Sequence, residues 1–144
     1  MKRLLLGFAL INVTLLSAQK FTIVIDGFKK NTKNNQVNYL EVVSNPDEQG
    51  TEFPINVVRK INVQDSTCTF YQFGVYVSTV KLISFLETES TYEFKMLDYD
   101  NNNDAVITYI TLTKDLKHSY YYWYNQIQNV TKVEINTDFT VNID

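Results

Sequence analysis

The 144 residues hold one cysteine, one histidine, two prolines and four glycines. A lone cysteine forms no disulfide within the chain, and Cys68 lies in an alternating apolar run, which predicts a buried thiol. One histidine, His118, and one cysteine make no zinc set, because zinc takes several such ligands at close spacing. Four glycines leave neither a Gly-x-Ser-x-Gly elbow nor a glycine-rich phosphate cradle. No serine is marked out as a partner for His118, and Glu87 and Glu89 read as a solvated face, so the chain is read as a binding protein and not an enzyme. Basic residues are also few, 13 against 16 acidic. An acidic chain without a basic stripe is a poor partner for nucleic acid.

No run reaches the ~20 apolar residues that cross a bilayer as a helix. The apolar stretch at the start, MKRLLLGFALINVTLLSAQK, has a positive pair, Lys2 and Arg3, an apolar core over 4–16, then Ser17 and Ala18. This is the pattern of a secretory leader, with cleavage expected after Ala18. It predicts a secreted protein with a leader over 1–18 and one domain over 19–144, carrying 11 basic and 16 acidic residues once Lys2 and Arg3 are gone.

The remainder reads as strand. Alternating, β-branched and aromatic residues recur over 21–27, 37–44, 53–63, 69–77, 80–87, 92–99, 105–113, 130–136 and 139–143, between short polar breaks. Val133, Ile135, Phe139, Val141 and Ile143 alternate with polar neighbours, which places them on one face of a sheet. Residues 114–129 are undecided between a helical turn and a strand. The expected fold is an all-β antiparallel β-sandwich of about eight strands.

One polar segment stands out. In MLDYDNNNDAVITYITL, Asp98, Asp100 and Asp104 fall within seven residues, with three asparagines among them. Asp98 and Asp100 leave a strand on the same face. Three carboxylates brought together repel unless a cation or protons offset them. Calcium takes six to eight oxygens, and carboxylates with asparagine and backbone carbonyls supply them. The spacing matches an EF-hand loop at Asp98, Asp100, Asn102 and Asp104. It departs where Asn103 replaces the turn glycine and Tyr109 the bidentate glutamate. Aspartate and asparagine are also what a plain turn selects. A calcium loop and an ion-free turn both fit.

The order TYEFKMLDYDNNNDAVITYITL resembles the middle of a calcium-binding C2 domain, where a strand ends in Asp-x-Asp, a loop adds a further Asp, and an apolar strand follows. FTIVIDGFKKNTKNNQVNYLEV is similar to that family's first strand, first ion loop and second strand, and VTKVEINTDFTVNI to its last strand. The resemblance implies a C2-like eight-stranded sandwich with end loops that bind Ca²⁺ and an anionic lipid headgroup or a protein partner. Asp98, Asp100 and Asp104 then match the third-loop ligands, and Asp26 a first-loop ligand. The chain departs from the family at Val37-Asn38-Tyr39, where a second Asp belongs, and at Ala105, where a glycine belongs.

HSYYYWYNQ, residues 118–126, is the second unusual stretch. In a strand, Tyr120, Tyr122 and Tyr124 share one face, and Tyr121 and Trp123 the other. Amphipathic rings of this kind suit interfaces, so Tyr120, Tyr122, Trp123 and Tyr124 are read as a candidate binding surface. An ion-free assembly protein, homo-oligomeric through strand edges and these rings, is the alternative reading. Asn129-Val130-Thr131 is a glycosylation sequon.

Overall fold

The β-rich pattern folds into nine antiparallel strands among the residues described in the computed structural model, 19–39, 41 and 51–144. The expected leader and the turn over 45–50 lie outside the described residues, as does most of 40–44. The strands are β1 (Lys20–Lys33), β2 (Thr51–Phe53), β3 (Val57–Asn62), β4 (Thr67–Gln72), β5 (Val75–Glu87), β6 (Thr91–Tyr99), β7 (Ala105–Thr113), β8 (Ser119–Asn125) and β9 (Val130–Ile143). No helix among the described residues is long and apolar enough to cross a membrane.

The sandwich expectation, and with it the C2-like fold, is corrected. The sheet runs β1-β3-β4-β5-β6-β7-β8-β9 and closes on itself through β1 and β9, giving an eight-stranded barrel, with β2 a short addition beside β1. Closure rests on a pairing from Phe21↔Ile143 to Lys33↔Thr131. Alternation predicts a strand with one buried face equally well in a sandwich or a barrel, so it did not separate the two. Closure removes the exposed edges that an open sheet must protect.

That long pairing is broken once. Register shifts fall between Ile25 and Gly27 and between Gly27 and Phe28, opposite Thr137 and Asp138. Gly27 permits the close approach: a Cβ there would stand 3.2 Å from Thr137 Oγ1 and 3.4 Å from Asp138 Cβ. Each strand carries one extra residue here, Asp26 on β1 and Thr137 on β9, so the register is regained beyond the break while both strands switch the face that their later side chains present. Ile25 and Phe28 therefore both pack in the core, and Phe139, Val141 and Ile143 pack against it while Val133 does not. The single apolar face expected across 130–143 is in fact two faces.

The strand expected over 69–77 contains the β4–β5 hairpin turn, where Phe73 and Gly74 both have positive φ, 51° and 76°. Residues 119–125 form β8, resolving the undecided segment as strand. Val37 and Asn38 are not strand.

The interior has two unlike halves. Toward the start of β1, Phe21, Ile23, Ile61, Cys68, Val80, Leu82, Phe94, Met96, Ile110 and Leu112 form an apolar core. The ring of Phe21 meets Phe94 at 4.9 Å and Tyr92 at 5.1 Å, both edge-on. Such pairs add about 0.5–1.5 kcal/mol beyond area burial. The half facing the β4–β5, β6–β7 and β8–β9 turns is polar.

Candidate functional site

The polar half is built from positions that alternation points inward. In β3, Arg59 falls in the inward row between Val57 and Ile61, and pairs with Phe70 of β4. In β6, Asp98 continues the row Phe94, Met96 and pairs with Val106. Across β7, β8 and β9 the rows are Ile110, Tyr121, Glu134 and Thr108, Trp123, Lys132. A charged or polar residue stands in each row where a further apolar one would have filled the barrel.

Arg59 is 4% exposed. Its Nη2 donates to Glu134 Oε2 at 3.1 Å, and its guanidinium lies 4.2 Å from the Tyr121 ring centre and 5.6 Å from that of Phe70. Its Nε and Nη1 are buried without a hydrogen-bond partner among the described residues. Buried donors of this kind cost about 1–3 kcal/mol each when unpaired. Burial raises the Tyr121 hydroxyl above its ordinary value, against the lowering field of Arg59.

Two adjoining hollows open here and share Tyr121 and Glu134 as walls. One, about 220 Å³, is lined by Arg59, Val57, Phe70, Val77 and Asp98. The other, about 250 Å³, is lined by Asp100, Asn101, Trp123 and Lys132. Lys132 Nζ lies 4.5 Å from the Trp123 ring centre.

The acidic loop is the β6–β7 turn, and Asp100 organises it. Its Oδ1 accepts from the backbone N–H of Asn102 and Asp104, both at 2.9 Å, and its Oδ2 from Asn125 Nδ2 at 2.6 Å. The Asp104 N–H, then those of Asn102 and the Asn125 amide, hold the Asp100 carboxyl below its usual range, against desolvation that raises it. Asn103 takes φ 62°, the left-handed geometry that asparagine tolerates where glycine is absent. Asn125 Oδ1 in turn accepts from Ile127 and Gln128 N–H, which ties this turn to the β8–β9 turn.

The four candidate ion ligands are not gathered. Asp98 Oδ1 accepts from Tyr99 N–H at 2.7 Å, and Asp98 lines the first hollow. Asp104 flanks the turn. Asp26 is exposed on β1, four strands round the barrel from β6, and accepts from Asn56 Nδ2 at 2.8 Å. No group of three or more His, Cys, Asp and Glu side chains placed to hold a metal ion occurs among the described residues.

The aromatic run splits as its alternation predicts. Trp123 and Tyr121 line the hollows, whereas Tyr122 lies on the outside and is covered by the chain itself. Its hydroxyl donates to Val37 O at 2.7 Å, and Tyr39 stacks on Tyr109 at 4.2 Å and meets Tyr122 edge-on. Tyr120 is buried, and Tyr124 donates to Asn129 Oδ1 at 3.3 Å. Asn129 is exposed in the β8–β9 turn with φ 53°.

Arg59, Tyr121, Lys132 and Glu134 were not singled out from the sequence. The available signal was Arg59 interrupting the row Val57, Ile61, Val63. Lys132 and Glu134 gave none, because the extra residue at Thr137 that turns them inward has no local signature.

Comparison of the chain with protein-family models, with curated proteins and with solved structures gives no match.

Proposed function

We propose that this chain is a binding protein that takes up a small ligand in the polar open end of its barrel. The carrying observation is Arg59, buried beside a hollow with donors on Nε and Nη1 that none of the described residues satisfies. A guanidinium held between two rings and anchored by one carboxylate is pre-set to donate to an incoming acceptor. The hollows are smaller than drug-sized sites of ~300–1,000 Å³, which favours a compact ligand. Secretion, expected from the leader, belongs to the same proposal and would put that ligand outside the cytoplasm.

Trp123 is the one tryptophan of the chain, so its fluorescence reports on the site. A library of small polar fragments is expected to yield compounds that shift Trp123 emission and lose their effect in Arg59→Met. If no fragment moves Trp123, or if binders map outside the barrel and ignore Arg59→Met, the reading fails.

A second reading is favoured by the β4–β5 tip. Phe73, Val75, Tyr76 and Val77 are all large, apolar and exposed, Phe73 by 67%. Clustered apolar exposure marks contact surfaces. This tip, not the tyrosine run, is the surface on which a protein partner or a second copy of the chain would act. Concentration-dependent association that Tyr76→Ser abolishes would support it.

A further inference from the structure

We propose that the ligand is a neutral polyhydroxylated ring, a sugar either free or at the end of a glycan. This inference rests on the binding role given to the open end, and it specifies the ligand's chemistry.

The charges around the two hollows argue first. Asp98, Asp100 and Glu134 face Arg59 and Lys132. Glu134 already answers Arg59, and the surplus sign is negative. An anionic ligand drawn to Arg59 would meet that surplus at close range. A cationic ligand fares no better. The ring faces that would receive it are already taken, Tyr121 by Arg59 and Trp123 by Lys132. It would also leave the Arg59 donors unanswered. The same occupied faces leave little for a flat heteroaromatic ligand to stack on.

A hydroxyl group both donates and accepts. On a ring seated in the Arg59 hollow, some hydroxyls accept from Arg59 Nε and Nη1 while others donate to Asp98 and Glu134, and a substituent reaching the adjoining hollow meets Lys132. No net charge is brought in. Phe70, Val57 and Val77 supply apolar contact for the ring's C–H groups, and Trp123 lines the adjoining hollow. Each hollow has the volume of about eight liquid waters at ~30 Å³ apiece, a size that suits one sugar ring and not a long acyl chain.

The test titrates the full chain with methyl glycosides of neutral hexoses and N-acetylhexosamines, with the matching hexuronates and hexosamines, and with short neutral oligosaccharides. Trp123 emission and amide NMR shifts are followed. At least one neutral glycoside is expected to bind, with its hexuronate about tenfold weaker or worse. Arg59→Met and Asp98→Asn should each weaken it by a similar factor. Asp98→Asn keeps the side chain's shape, so it decides the matter if Arg59→Met unfolds. Tighter binding of the oligosaccharide identifies a glycan end as the source; equal binding identifies the free sugar. The inference is overturned if a hexuronate or hexosamine binds as well as the neutral ring. It is also overturned if no neutral sugar binds while a fragment does occupy the hollow, an outcome that leaves the binding role standing. Silence from every probe, fragments included, defeats both.

Discussion

Arg59 and Glu134 join across β1: one stands on β3, the other on β9, and Nη2 meets Oε2 at 3.1 Å with both side chains largely buried. A pair this deep is rarely a net source of stability, because desolvating two ions offsets their attraction. Breaking it is another matter, since one charge is then left without a partner. Glu134→Gln should destabilise by about 3–5 kcal/mol. Replacing both, as Arg59→Met with Glu134→Leu, should cost much less than the sum of the single changes. Urea unfolding of the two singles and the double measures this. Additive losses would show that the pair is not coupled as placed.

Phe73 occupies the first position of a two-residue turn with φ 51°, followed by Gly74 at 76°. Both positions of such a hairpin turn need positive φ, which asparagine accepts and phenylalanine resists. Phe73→Asn should therefore stabilise the fold by about 1 kcal/mol. A tip kept for partner contact would lose that contact in the same variant. A rise in melting temperature together with lost association fits the surface reading; a fall in stability would mean that Phe73 packs against something it does not touch here.

These two sites show what was legible in the sequence. Alternation located most of the strands, and it split the tyrosine run correctly, Trp123 and Tyr121 from Tyr122. It also predicted a buried Cys68. Closure was not legible, because it depends on β1 and β9 pairing across most of the chain, from Phe21↔Ile143 to Lys33↔Thr131. Nor was the extra residue at Thr137 on β9, which sends Lys132 and Glu134 inward while Val133 goes out. The Asp98–Asp104 cluster was visible, but its partner Asn125 lies on β8, a strand the sequence left undecided.

The outer tyrosines make a separate prediction. Tyr122 OH donates to Val37 O, and Val37 N–H donates to Thr131 Oγ1 at 3.1 Å, so these bonds tie residues 35–39 to the outside of β8 and β9. Tyr122→Phe keeps the ring packing and removes one bond, at about 0.5–1.5 kcal/mol. Amide exchange should quicken at residues 35–39 and stay unchanged in the Phe21 core. Uniform quickening would mean that the segment unfolds only with the whole barrel.

Cys68 has no exposed surface, and burial pushes its thiol up to about 12 from an ordinary 9.0. The folded state thus keeps a proton that the unfolded chain releases above pH 9, so stability from this group falls as pH rises from about 9 toward 12. At neutral pH an aromatic disulfide reagent should label Cys68 only as fast as the barrel opens. Cys68→Ala should flatten the alkaline limb of the stability curve. Fast labelling of the native protein would contradict the burial.

Asp100 gives the opposite sign. Its folded pKa is lowered below 3.8, so the turn's stabilisation is complete above that value and is lost as pH falls through the folded pKa. Asp100→Asn should remove this acid-dependent part and weaken the link to Asn125, whose amide now donates to Oδ2. The same pair of proteins separates the turn role from an ion role. Three N–H groups already occupy the carboxylate, so added calcium is expected to leave the difference in melting temperature between wild type and Asp100→Asn unchanged. A calcium-dependent rise confined to wild type would mean that the loop rearranges to bring Asp98, Asp100 and Asp104 around the ion, and that these N–H bonds give way to it.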